Sequence, residues 1–182
     1  MCNSENNGLM RKLKLNSRGS ALWTFLALGL AIALIDQSSK LYVLSRFTEG
    51  VENSILPFLS FTLAFNRGAA FGFLNDAGGW QLIMFSSIAF LVVAYLVFHI
   101  WQEVWQAKII VCSYGFIAGG AIGNVIDRIY LGMVVDFIDV HFFGWHFWIF
   151  NIADIALSIG VGLLILSVFF EWRANRQSTK VR

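Results

Sequence analysis

Asn124, Asp127 and Arg128 stand at i, i+3 and i+4 near the end of one apolar stretch, so on a helix they share a face; Asn151, Asp154 and Ser158 do the same at the start of another. The short connection between them, which includes VVDFIDVHFFGWH, adds Asp136 and Asp139, so several carboxylates can meet at one place. Two carboxylates brought together where the dielectric constant is low cannot both ionise easily. They share a proton, after which one can act as general base on water and the other as general acid, the chemistry of aspartyl hydrolysis. Spacing alone leaves other roles open, because buried Asp residues also pair with Arg or relay protons. A metal site is the weaker reading. His141 and His146 lie five apart, which fits one helical face poorly, and there is no HExxH. Nor is there a GxSxG or a Gly-rich phosphate loop.

Composition fixes the setting for these groups. Of 182 residues 58% are hydrophobic and only 13% charged, far more apolar than an ordinary soluble domain. A carboxylate at the centre of a membrane helix costs roughly 3 kcal/mol on insertion scales, so the acidic residues are expected to face protein and mark function. A net charge of +2 without a basic, aromatic-studded run argues against a nucleic-acid partner. Cys2 and Cys112 form no CxxC or zinc-like spacing and are expected to be free thiols.

Four spans of about 20 residues fit the chain. The first is an apolar run from Ala21 to Ile35 behind Arg11, Lys12, Lys14 and Arg18; no small-residue cleavage site follows, so it reads as an uncleaved span with Asp36 at or inside the membrane boundary. The second is expected from Trp80 to about Trp101, with a tryptophan near each end, and the third begins after Lys108. In the third, Gly115, Gly119 and Gly123 share one face and permit close helix approach, and the apolar run ends at Asn124. The fourth is expected from Trp148 to Phe170. Nine of the thirteen Lys and Arg residues are in the two tails, four in each, or at Lys108, which by the positive-inside rule places both termini in the cytoplasm and the acidic residues near the outer surface. Between the first two spans, LSFTLAFN (Leu59 to Asn66) alternates with a strand period and predicts a short sheet on the outer leaflet. The expected fold is an all-α membrane protein of four transmembrane helices with a small β-rich segment on the outer membrane face. A cytoplasmic tail (1–20), one membrane domain (21–172) and a second cytoplasmic tail (173–182) complete the chain.

Five blocks of sequence resemble the bacterial lipoprotein signal peptidase family, also called signal peptidase II, in that family's order. They are DQSSK (Asp36 to Lys40), NRGAAFGF (Asn66 to Phe73), GNVIDR (Gly123 to Arg128), VVDFIDVH (Val134 to His141) and FNIADIAL (Phe150 to Leu157). The resemblance implies an aspartyl endopeptidase of the bacterial inner membrane, inhibited by globomycin, which cleaves diacylglyceryl-modified prolipoproteins just before the lipidated Cys. Carried over by motif, the catalytic pair is Asp136 and Asp154. Asp36, Asn66, Asn124, Arg128 and Asn151 would position substrate or steady the pair, while Asp127 would pair with an Arg and Asp139 would cap or orient its loop. The implied partners are the prolipoprotein and membrane lipid, with no cofactor or metal, and the protein is expected to act as a monomer. Two departures from the family pattern are Trp148, where many relatives have Pro, and a longer N-terminal tail. The rival reading is a small proton-coupled transporter or relay, which predicts carboxylates spread through the membrane's depth. Here they cluster at one end of the spans.

Overall fold

The structure is a computed structural model. It describes residues 2–68, 78–102 and 108–180, apart from the side chains of residues 2–18 and of several positions beyond 170. Residues 69–73 of NRGAAFGF and the last two residues of the expected C-terminal tail lie outside the described residues. The elements run α1 (Cys2–Arg46), β1 (Glu52–Leu56), β2 (Leu59–Asn66), α2 (Trp80–Gln102), α3 (Lys108–Leu131), β3 (Val134–Phe142), β4 (Trp145–Phe150) and α4 (Ile152–Lys180). Among the described residues four stretches are long and apolar enough to cross a membrane: Gly19–Arg46, Trp80–Gln102, Lys108–Leu131 and Ile152–Phe170.

Helix α3 is the most buried of the four and packs against α1, α2 and α4. Its glycine face explains how α1 approaches so closely: a Cβ at Gly119 would lie 2.7 Å from the Gly29 carbonyl oxygen and 2.8 Å from Ile32 Cβ. Small residues of this kind let backbones meet where lipid supplies no hydrophobic drive between helices. Gly160 of α4 does the same against α3, where a Cβ would stand 2.7 Å from Ile117. Phe25, Leu96, Ile100, Val111, Tyr114, Ile117 and Ala118 form the core that joins α1, α2 and α3.

The sheet is larger than the sequence pattern predicts. Its four strands run antiparallel in the order β1-β2-β3-β4, and only β2 has the alternation that marks a strand. Strand β3 is buried on both faces from Val134 to Phe137, which erases the period of two. Strand β4, WHFWIF, is so apolar that it reads as the beginning of the fourth span. That span therefore starts at Ile152 and not at Trp148. A second apolar cluster, Val43, Leu63, Val135 and Phe137, seats the sheet on the C-terminal part of α1. The end of α1 runs on through Asp36 to Arg46, and α3 runs through Asn124 to Leu131, so the acidic residues of both lie within helices.

Candidate active site

The start of α4 fixes the first carboxylate. The backbone N–H of Asp154 donates to Asn151 Oδ1 at 3.0 Å, while the backbone N–H of Asn151 donates to Asp154 Oδ2 at 3.3 Å. This reciprocal cap satisfies two of the N–H groups that every helix leaves orphaned at its start. A third, the N–H of Ala153, donates to Asp36 Oδ1 of α1 at 2.9 Å. Asp154 thus lies in the first turn of α4, not deeper along the helix as a start at Trp148 implied.

Strand β3 supplies the second carboxylate. Asp136, 3% exposed, accepts an N–H from Asn151 Nδ2 at 2.6 Å and another from Asn66 Nδ2, at the end of β2, at 3.1 Å. Asn124 of α3 donates from Nδ2 to Asp154 Oδ1 at 2.9 Å, and its own Oδ1 accepts from Asn151 at 3.2 Å. Three carboxamides therefore bind the two carboxylates into one network. Asp136, Asp154, Asn66, Asn124 and Arg128 line one pocket of about 480 Å³ together with apolar side chains, among them Phe147, Trp148 and Phe150 of β4 and Ile155 and Ile159 of α4. Arg128 donates to the backbone carbonyls of Asn124 and Gly68, each at 3.2 Å, and its guanidinium carbon lies 5.5 Å from the centroid of the Phe85 ring.

Burial pushes the Asp136 carboxyl above its ordinary 3.8, and the neighbouring Asp154 carboxylate pushes it further, to about 7, against the opposing pull of the Asn66 and Asn151 N–H groups. An unfolded chain ionises this group near pH 4, whereas the folded protein keeps the proton to about pH 7. The folded state therefore binds more protons in that window, and stability falls as pH rises through it. Asp136→Asn cannot ionise, so it is expected to melt at a higher temperature than the parent protein at about pH 8 and to lose that advantage at about pH 4. Paired thermal melts in detergent check this; an equal advantage at both values would mean that the carboxyl ionises normally.

Asp127 and Asp36 do not line the pocket. Asp127 was expected beside an Arg and on the face of Asn124 and Arg128, but it turns toward α1 and pairs with Lys40 at 2.8 Å. Asn124 and Arg128, four apart, face the pocket, while Asp127 also accepts from the backbone N–H of Val135 at 3.1 Å and so ties α3 to β3. Asp36 lies behind the pocket, 2.7 Å from the same Lys40 Nζ. Lys40 and Gln37 were not among the expected site residues; Gln37 donates to Asp127 Oδ1 at 2.8 Å. The available signal was the i, i+4 spacing of Asp36 and Lys40 inside an apolar helix. Asp139 is buried on the sheet, where it accepts from Thr62 at 3.1 Å and lies 3.0 Å from His146 Nδ1. That contact raises the pKa of the exposed His146. Among the described residues no group of three His, Cys, Asp or Glu side chains is arranged to hold a metal ion.

Four candidate spans and an acidic pocket held by carboxamides define a polytopic membrane protein with a site suited to hydrolysis. The family model described as Signal peptidase (SPase) II matches residues 28–170. A lipoprotein signal peptidase of Burkholderia mallei (strain SAVP1) is 43% identical over 170 residues, which is 92% of this chain and 100% of the relative. One from Burkholderia vietnamiensis (strain G4 / LMG 22486) is 40% identical over the same shares. A solved structure described as a bacterial membrane enzyme, determined by the in meso method at 2.3 Å resolution, matches with a TM-score of 0.74 at 32% identity, covering 81% of this chain and 88% of that one. The chain belongs to the signal peptidase II family and is a peptidase. The transporter reading finds no support in these relatives.

Proposed function

We propose that this peptidase removes signal peptides from diacylglyceryl-modified prolipoproteins, cleaving just before the lipidated Cys, with Asp136 and Asp154 as the catalytic pair. The observation that carries this reading is one pocket lined by both carboxylates and by a set of apolar side chains. A water held between the carboxylates is activated by the ionised member, and the protonated member gives its proton to the leaving amine. The apolar side chains suit the lipid chains or the hydrophobic part of the signal peptide. Asn66, Asn124 and Asn151 orient the pair, and Arg128 anchors the chain at Gly68 beside it. The enzyme acts as a monomer in the inner membrane without a metal or cofactor.

The test is cleavage of a synthetic diacylglyceryl prolipoprotein peptide by the purified protein. Turnover is expected to be unchanged by EDTA and blocked by globomycin. Loss of turnover on chelation, with rescue by Zn²⁺, would sink the aspartyl mechanism.

The same reading places the tails, residues 1–20 and 173–182, in the cytoplasm and the sheet with its acidic pocket at the periplasmic face, because Lys and Arg concentrate at the opposite ends of the spans. A C-terminal alkaline phosphatase fusion is expected to be inactive and a C-terminal green fluorescent protein fusion to be bright. The reverse pattern overturns this orientation.

A further inference from the structure

Lys40 is 2% exposed, yet it holds the centre of the most polar part of the bundle. Its ammonium is 2.7 Å from Asp36 and 2.8 Å from Asp127, and it donates to Asn124 Oδ1 at 3.0 Å. An ammonium is a donor only, so the side of the Asn124 carboxamide that meets it has to be the oxygen. The amide nitrogen then has to point the other way, and there it donates to Asp154 Oδ1 at 2.9 Å. The second donor on Asn124 Oδ1 is the Asn151 amide nitrogen, which also donates to Asp136 Oδ1. The direction of the hydrogen bond that Asn124 sends to Asp154 is thus set from one buried cation, while Asn151, already oriented by the N–H of Asp154 on its Oδ1, meets the same Asn124 oxygen.

We infer that Lys40 is the positioning residue of this peptidase: held by Asp36 and Asp127, it locks the Asn124 carboxamide in the orientation that aims an N–H at Asp154. This rests on the reading of Asp136 and Asp154 as the catalytic pair. It differs from a role in charge neutralisation alone, in which Lys40 would only offset the buried Asp36 and Asp127 and any neutral arrangement would serve as well.

The two roles separate in a pair of double variants of the full-length protein, Lys40→Gln/Asp127→Asn and Lys40→Met/Asp127→Asn. Both remove the same two charges, but only Gln, one bond shorter than Lys, still offers an N–H to the Asn124 oxygen. Turnover of a diacylglyceryl prolipoprotein peptide is expected to be at least tenfold faster in the Gln variant, with the difference in kcat and KM changed by less than about twofold, because the pocket wall is untouched. Equal kcat in the two variants overturns the positioning role. A second variant, Asn124→Leu, leaves Lys40 paired with Asp36 and Asp127 but has no N–H for Asp154; it is expected to lose cleavage, and full activity there overturns the proposal by itself. Asp154→Asn is assayed beside them. If it cleaves normally, the reading of the catalytic pair has failed; if it is inactive while the two double variants match, only the role of Lys40 has failed.

Discussion

Asp154→Asn is expected to lower cleavage of a diacylglyceryl prolipoprotein at least about 10³-fold while leaving the fold intact. General acid and general base action each contribute roughly 10² to 10⁴ in rate, and a single carboxyl cannot serve as both base and acid at once. The fold is spared because an amide oxygen at position 154 can still accept the N–H of Asn151 that caps α4 and no buried charge is created; the N–H of Asn124 loses its partner, at about 1 kcal/mol. Asp136→Asn is expected to be as inactive. Its amide has one acceptor oxygen where Asp136 has two, so one of the N–H groups from Asn66 and Asn151 loses its partner. That costs about 1 kcal/mol, offset at neutral pH by removal of a carboxyl that burial disfavours in its charged form. Asp139→Asn should be much milder, since Asp139 contacts Thr62 and His146 and does not line the pocket. The measurement is initial rate at matched yield of folded protein. A rate above about a tenth of the parent's in Asp154→Asn would mean that Asp154 only caps α4 and that the reacting carboxylates are elsewhere.

The parts of the site that could be read in the sequence are those with a spacing or a motif. Asn124 and Arg128 are four apart and face the pocket together, as a helical repeat requires. Asp127 is three from Asn124 and was read on the same face, but position i+3 falls to the other side of the helical stripe, where Lys40 of α1 is within reach. That is a tertiary fact, and no pattern within α3 contains it. The same holds for Asp36, whose task of accepting the N–H of Ala153 joins residues far apart in the chain. The sheet was half legible for a related reason. Alternation is visible in β2 because one face is apolar, whereas β3 is buried on both faces and β4 is apolar but for His146. In a chain this hydrophobic, a short apolar strand placed directly before a membrane helix cannot be told from the helix by composition.

Asn151 is where the capping of α4 and the proposed chemistry meet, and substitutions there should pull the two apart. Its Oδ1 caps the N–H of Asp154, while its Nδ2 lies within reach of Asp136 Oδ1 at 2.6 Å, Asn124 Oδ1 at 3.2 Å and the Val135 carbonyl at 3.3 Å. Asn151→Ala removes both functions: the lost cap costs about 1 kcal/mol, and Asp136 loses its shortest donor in a fully buried position. Asn151→Ser keeps an N-cap hydroxyl of nearly equal merit but is too short to reach Asp136 and Asn124 together. The Ser variant is therefore expected to recover the about 1 kcal/mol that the lost cap costs Ala, yet to remain about 10²-fold or more below the parent in kcat, because a misplaced carboxylate forfeits the geometry on which proton transfer depends. Melting temperature and kcat measured on the same preparations decide the matter. If Ser restored the rate along with the stability, the carboxamide would be serving only the helix, and the link from Asn151 to Asp136 would carry no part of the reaction.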